Sequence, residues 1–203
     1  FKYRKMLKLE RKDLVIALLP GSRMGELKAH TDTLVETAQN ILDVYPDAKF
    51  LIPATNDKNV HFIKGRIKNN PTKNLKLIKG KVDEILSSAN IAIAASGTAS
   101  LQIALHKKPM IIIYKGSWIS YFIWKMVRLI PNVSLPNILL NENFVPEMLQ
   151  HRATPNLLSE KACKIINDKK YSKKIEFKFN RLHKDLKKNT SSLIFKIIKP
   201  YLK

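Results

Sequence analysis

Short apolar runs alternate with longer stretches in which apolar residues return every three or four positions. Leu14 to Leu19 is a continuous apolar run, and Leu27, Leu34, Val35, Ala38, Ile41, Leu42 and Tyr45 then recur at helical spacing until Pro46-Asp47. The first pattern predicts a buried strand and the second an amphipathic helix. The unit repeats. Lys49 to Ile52 reads as a strand, and Val60, Ile63 and Ile67 mark one face of a helix that stops at Asn69-Asn70-Pro71. Leu75 to Ile78 is a third strand, and Gly80 turns the chain into a helix with Val82, Ile85, Leu86 and Ala89 inward. Ile91 to Ala94 and Met110 to Tyr114 supply two more strands around a helix from Ala99 to Leu105. Repeated strand–helix units of this length predict an α/β fold, a Rossmann-like doubly wound parallel sheet with ligands at the carboxyl ends of its strands.

Two junctions lie at that edge. After the first strand comes Leu18-Leu19-Pro20-Gly21-Ser22-Arg23, and after the fourth Ala94-Ala95-Ser96-Gly97-Thr98. In each, a glycine lets the backbone turn sharply into a helix whose first N–H groups and positive dipole end face outward, which is the layout of a phosphate site. Arg23 adds a fixed cation, and two such turns in one sheet point to a diphosphate.

Beyond Tyr114 the pattern changes. Trp118 to Val127 is aromatic and almost wholly apolar, too short to span a bilayer, and reads as a helix buried on the sheet or lying at a lipid interface. The proline-marked passage from Ser134 to Gln150 reads as loops suited to ligand contacts. After Pro155, lysine-rich helices with Leu182, Leu186, Leu193, Ile194, Ile197 and Ile198 on an apolar face run to Lys203.

The 203 residues carry a formal charge of +21, distributed unevenly. Residues 1–12 hold +5, residues 161–203 hold +11, and residues 13–160 only +5. The expected organisation follows those bounds: a basic lead-in (1–12), a ligand-binding domain (13–160) and a lysine-rich helical tail (161–203). The excess fits compositional bias or an anionic membrane surface, and no motif supports specific nucleic-acid binding. A single cysteine, Cys163, excludes an internal disulfide and fits a reducing cytoplasm. The start at Phe1, without a methionine, reads as part of a longer protein. His30, His61, His106, His151 and His183 lack metal-ligand spacing and read as surface or helix-end residues. There is no Asp-x-Asp pair to hold a divalent ion, and no Walker A, hydrolase-elbow or paired-cysteine motif.

Five blocks in order, LLPGSR (18–23), SGTASL (96–101), PMIIIYK (109–115), SLPNIL (134–139) and VPEMLQ (145–150), resemble the signatures of the lipid-A-disaccharide synthase family. The resemblance covers residues 14–158 and implies the C-terminal, nucleotide-sugar half of a GT-B glycosyltransferase. It implies transfer from UDP-2,3-diacylglucosamine to 2,3-diacylglucosamine 1-phosphate, with no cofactor or metal. It also implies a general base in the other half, a tail (161–203) that packs on that half or on a partner protomer, and a homodimer exchanging C-terminal parts; the lysines of the flanks suit a peripheral place on the inner face of the inner membrane, near the acylated substrates. By the same resemblance Gly21, Ser22 and Arg23 meet the diphosphate, with Arg23 neutralising the leaving group. Ser96, Gly97 and Thr98 cap the second helix and bond phosphate oxygens. Tyr114 and Lys115 flank the nucleotide, and Asn137, Glu147 and Gln150 contact uracil, ribose or sugar. Gln102 stands where the family usually has a ribose-binding glutamate, which removes a charge-assisted bond. The alternatives are another UDP-sugar enzyme of GT-B shape, or a non-enzymatic basic module that holds polyanions or membranes.

Overall fold

The computed structural model describes residues 2–116 and 132–187, with 194, 195, 198 and 199 of the tail. The aromatic stretch from Trp118 to Val127, and Leu193 and Ile197 of the expected apolar face, lie outside the described residues. The described chain opens with α1 (Lys2–Met6), then runs β1 (Val15–Leu19), α2 (Met24–Leu42), β2 (Lys49–Ala54), α3 (Asp57–Asn69) and β3 (Leu75–Lys79). It continues through α4 (Val82–Ser88), β4 (Ile91–Ala95), α5 (Thr98–Leu105), β5 (Met110–Tyr114), α6 (Leu135–Leu140) and β6 (Glu147–Leu149). A single 3-10 turn (Gln150–Arg152) leads to α7 (Pro155–Asn167) and α8 (Lys169–Leu186).

All strand pairs are parallel, in the order β3-β2-β1-β4-β5-β6. This is the doubly wound, Rossmann-like sheet expected from the alternating pattern. Chain order reverses between β1 and β4, so the loops leaving their carboxyl ends diverge and open a crevice there.

Strand residues alternate between two cores. Ile16, Leu18, Phe50, Ile52, Ile93 and Ile111 pack under α2, α3 and α7 through Leu27, Leu34, Ile41, Ile63, Leu158 and Ile165. Val15, Ala17, Leu51, Ala92, Ala94 and Ile112 pack under α4, α5 and α8 through Ile85, Leu86, Ile103, Ile175, Phe179 and Leu182. Burial on both faces explains the unbroken apolar runs of the central strands. Each fully buried Leu, Ile or Phe adds roughly 1.5–3 kcal/mol.

Three features depart from the sequence expectations. The passage from Ser134 to Gln150, read as loop, holds α6 and the edge strand β6. Residues 161–186, set apart by charge, pack on this domain itself, since Ala162 and Ile165 lie in the first core and Ile175, Phe179 and Leu182 in the second. The lead-in likewise places Leu7 and Leu9 in the second core. There the Arg4 guanidinium donates to the carbonyls of Ser88, Glu10, Arg11 and Asp13 and to Asn90 Oδ1.

Candidate functional site

The turn after β1 is built around a glycine that admits no side chain. Gly21 has φ +109, and a Cβ placed on it would come within 2.3 Å of Glu26 Oε2. Glu26 folds back over the turn because it is the third residue of α2, where a carboxylate reaches the N–H of the capping residue. Its Oε2 accepts from the Ser22 N–H at 2.8 Å and the Arg23 N–H at 3.2 Å. Oε1 lies 3.2 Å from an Arg23 guanidinium nitrogen. Burial pushes the Glu26 carboxyl up, but the Arg23 and Ser22 N–H groups with the Arg23 charge outweigh it and hold the carboxyl below its ordinary value. Arg23 itself projects into solvent, 86% exposed. Asn59, buried at the start of α3, fixes the turn from the side by donating to the Ser22 carbonyl and to Thr55 Oγ1.

The turn after β4 differs. Gly97 caps α5 with φ +146, and a Cβ there would meet nothing within 4 Å. Among the described residues, no acceptor takes the N–H groups of Gly97, Thr98 or Ala99. These are the unpaired first-turn donors of a helix. Ser96, expected to cap the helix, does not: its N–H goes to the Ile113 carbonyl and its hydroxyl to that of Val133. Ser100 turns inward, donating to the Gly97 carbonyl and accepting from the Leu135 N–H.

Together the two turns wall a cleft of about 340 Å³ that brings together Gly21, Ser22, Arg23, Ser96, Gly97, Thr98 and Gln102. Gln102 donates to Asp83 Oδ1, which also meets His106 Nε2. Those two hydrogen bonds, His106 first, hold the Asp83 carboxyl below its ordinary value. A second hollow sharing Glu26 and Ser96 is bordered by His30, Tyr114 and Lys115. Lys115 donates from Nζ to Thr33 Oγ1 at 2.7 Å, a neutral partner, and no carboxylate pairs with it among the described residues.

His30 is buried, against the expectation of a surface histidine, and links both strand ends. Its Nε2 accepts from the Lys115 N–H at 3.0 Å, so Nδ1 carries the proton given to the Pro20 carbonyl at 3.1 Å. Burial lowers its basicity against the pull of the Pro20 carbonyl, and the Lys115 N–H, which needs a lone pair on Nε2, fits only the neutral ring.

Asn137, Glu147 and Gln150 are not brought to the cleft between the turns. Asn137 is fully buried and spends its amide on the Val145 carbonyl, the Glu147 carboxylate and the N–H groups of Phe144 and Val145. Glu147 accepts from the Val133 and Ser134 N–H groups and the Ser134 hydroxyl. Gln150 grips the backbone of Gly116 at both its N–H and its carbonyl. The network fastens α6 and β6 beside the end of β5. Sequence reading missed Glu26, His30 and Asn59. Only Glu26 carried a signal, its place three residues after the helix cap.

A family model described as lipid-A-disaccharide synthetase matches residues 1–198. The lipid-A-disaccharide synthase of Methylobacillus flagellatus is 36% identical over 202 residues, 98% of this chain and 53% of that protein. That of Dechloromonas aromatica is 38% identical over 192 residues, 93% and 50% respectively. The chain spans about half the length of these curated relatives. Among solved structures, the UDP-GlcNAc 2-epimerase from Neisseria meningitidis bound to UDP-GlcNAc matches with TM-score 0.59 and 15% identity over 93% of this chain and 48% of that one. WaaG, a glycosyltransferase involved in lipopolysaccharide biosynthesis, matches with TM-score 0.57 and 11% identity over 89% and 45%. At such identities these structures establish the fold alone, that of one half of a GT-B protein. The five sequence blocks and the family match agree, and the chain belongs to the lipid-A-disaccharide synthase family.

Proposed function

We propose that this chain is the donor-binding half of a glycosyltransferase. The complete protein would join UDP-2,3-diacylglucosamine to 2,3-diacylglucosamine 1-phosphate, releasing UDP and lipid A disaccharide 1-phosphate. One observation carries the reading. At the switch point of the sheet, the unpaired N–H groups of Gly97, Thr98 and Ala99 face a turn that projects the Arg23 guanidinium. In the reaction the bond between the anomeric carbon and the diphosphate oxygen breaks, and its electron pair passes to the diphosphate. The acceptor oxygen bonds to that carbon, and its proton leaves to a base in the other half of the protein. Donors already aimed at the leaving group stabilise its growing charge without reorganising. Calorimetric titration with UDP, an ATP control and an Arg23→Ala variant tests the reading. Selective UDP binding, weakened in the variant by about 1–3 kcal/mol, supports it. Equal binding of ATP that vanishes with salt overturns it.

The acylated substrates and the outer face of α8 also support peripheral attachment to the inner face of the inner membrane. Phe177 is 73% exposed, and Lys173, Lys174 and Arg181 stand beside it at helical spacing. Flotation with anionic vesicles at low salt is the test, and absence of binding removes the idea. Ile194, Phe195 and Ile198 are exposed, which suits a homodimer exchanging C-terminal parts. A monomer in sedimentation removes that.

A further inference from the structure

The candidate donor cleft is neutral in a strongly basic chain. Formal charge is +21 overall, yet the cleft lining carries one cation, Arg23, and one anion, Glu26, and these two lie against each other. Just beyond the rim stand charges of both signs, Asp83, tied to Gln102 and His106, and Lys115, in the adjoining hollow that shares Glu26 and Ser96. A site built only to attract phosphate would carry net positive charge, because focused potential raises the local anion concentration. Here a carboxylate oxygen already holds the Ser22 and Arg23 N–H groups, the donors that an anion would take at this turn.

We propose that Glu26 is a specificity-determining residue of the donor cleft, a fixed internal anion that opposes ligands carrying more charge than the nucleotide sugar. The inference rests on the donor-site reading above. A UDP-sugar has no free terminal phosphate. The released UDP gains one, with a further ionisation near neutral pH, and a nucleoside triphosphate gains another again. With Arg23 offset by Glu26, the cleft holds a diphosphate through the directed N–H groups of α5 rather than through bulk attraction. Each added negative charge on the Gly21 side of the cleft then meets the Glu26 carboxylate, whose own cation, Arg23, is already paired. The same repulsion favours departure of UDP over loss of the intact donor, and it keeps abundant triphosphates from filling the cleft.

The test is calorimetry of the 203-residue chain with UDP and with UTP, free of divalent cations and at fixed ionic strength. The variants are Glu26→Gln, Glu26→Ser and Glu26→Asp, with thermal melting to confirm folding. Gln keeps an oxygen for the Ser22 N–H, so the cap of α2 persists without charge. Both neutral variants are expected to gain affinity for UTP relative to UDP by about five- to tenfold, the size of one charge pair across a partly solvated cleft. Glu26→Asp, which keeps the charge, is expected to hold the wild-type ratio. An unchanged ratio in the neutral variants overturns the proposal, as does an equal shift in Glu26→Asp, which would mark shape rather than charge as the cause. If the wild-type chain binds no UDP, the donor-site reading itself falls and the inference falls with it. If it binds UDP and the ratio does not move, only the inference is lost.

Discussion

The turns after β1 and β4 have the same outline and opposite electrostatic states. Each follows a buried strand, pivots on a glycine of positive φ, and opens a helix at the carboxyl edge of the sheet. The third helical residue separates them. In α2 it is Glu26, which turns back and satisfies the Ser22 and Arg23 N–H groups. In α5 it is Ser100, whose hydroxyl goes down to the Gly97 carbonyl and leaves the first N–H groups open. A glycine turn before a helix is therefore not in itself an anion site. What fills its donors decides, and that residue sits beyond the turn.

The sharpest way to break the comparison is on the glycines. Gly21→Ala combines backbone strain with a clash against Glu26, and is expected to cost about 2–4 kcal/mol in urea unfolding. Gly97→Ala meets no neighbour and is expected to cost only its strain, about 1–3 kcal/mol. A Gly97 variant as damaged as the Gly21 variant would contradict the steric account. Next come the donors. Thr98→Pro deletes one N–H at the first helical position, where proline fits, so UDP affinity is expected to fall by about 1.5–3 kcal/mol with little change in stability. Thr98→Ala, which removes only the hydroxyl, is the control, and an equal loss there would assign the contact to the side chain.

The smallest expected effect is on pH. His30 is held neutral, with its basicity lowered by burial, so the unfolded chain takes up the proton first as pH falls. Its contribution to stability is complete above the ordinary value of 6.5 and declines below it. Glu26 acts lower, since a carboxyl held below its ordinary 4.5 loses its contribution only as pH falls beneath that value. Unfolding free energies measured from pH 8 to 5 should decline in wild type and flatten in His30→Gln. A parallel decline in both would move the effect elsewhere.

Strands β1, β2, β4 and β5 were legible because a parallel strand covered on both faces must be apolar throughout, and no solvent-facing residue interrupts it. The two turns were legible through Gly21 and Gly97. β6 was not, because it is short, follows Pro146 and begins with Glu147, whose charge resembles a loop until its four partners are seen. Neither was the work of Asn137 and His30. His30 acts through Lys115, 85 residues away, and Asn137 through backbone groups seven and eight residues on, which no side-chain pattern marks.

Arg4 bears on how such a protein can be cut. Its charge is bound to carbonyls and one amide oxygen, and Asn90 Oδ1 meanwhile accepts from the Val15 N–H at the foot of β1. A chain trimmed at residue 13, where the run of basic residues ends, would strip Ser88, Asp13 and Asn90 of their shared clasp and expose the core around Leu7 and Leu9. The segment that looks most like ornament by composition is the latch on the base of the sheet, and a domain boundary drawn by charge would run straight through it.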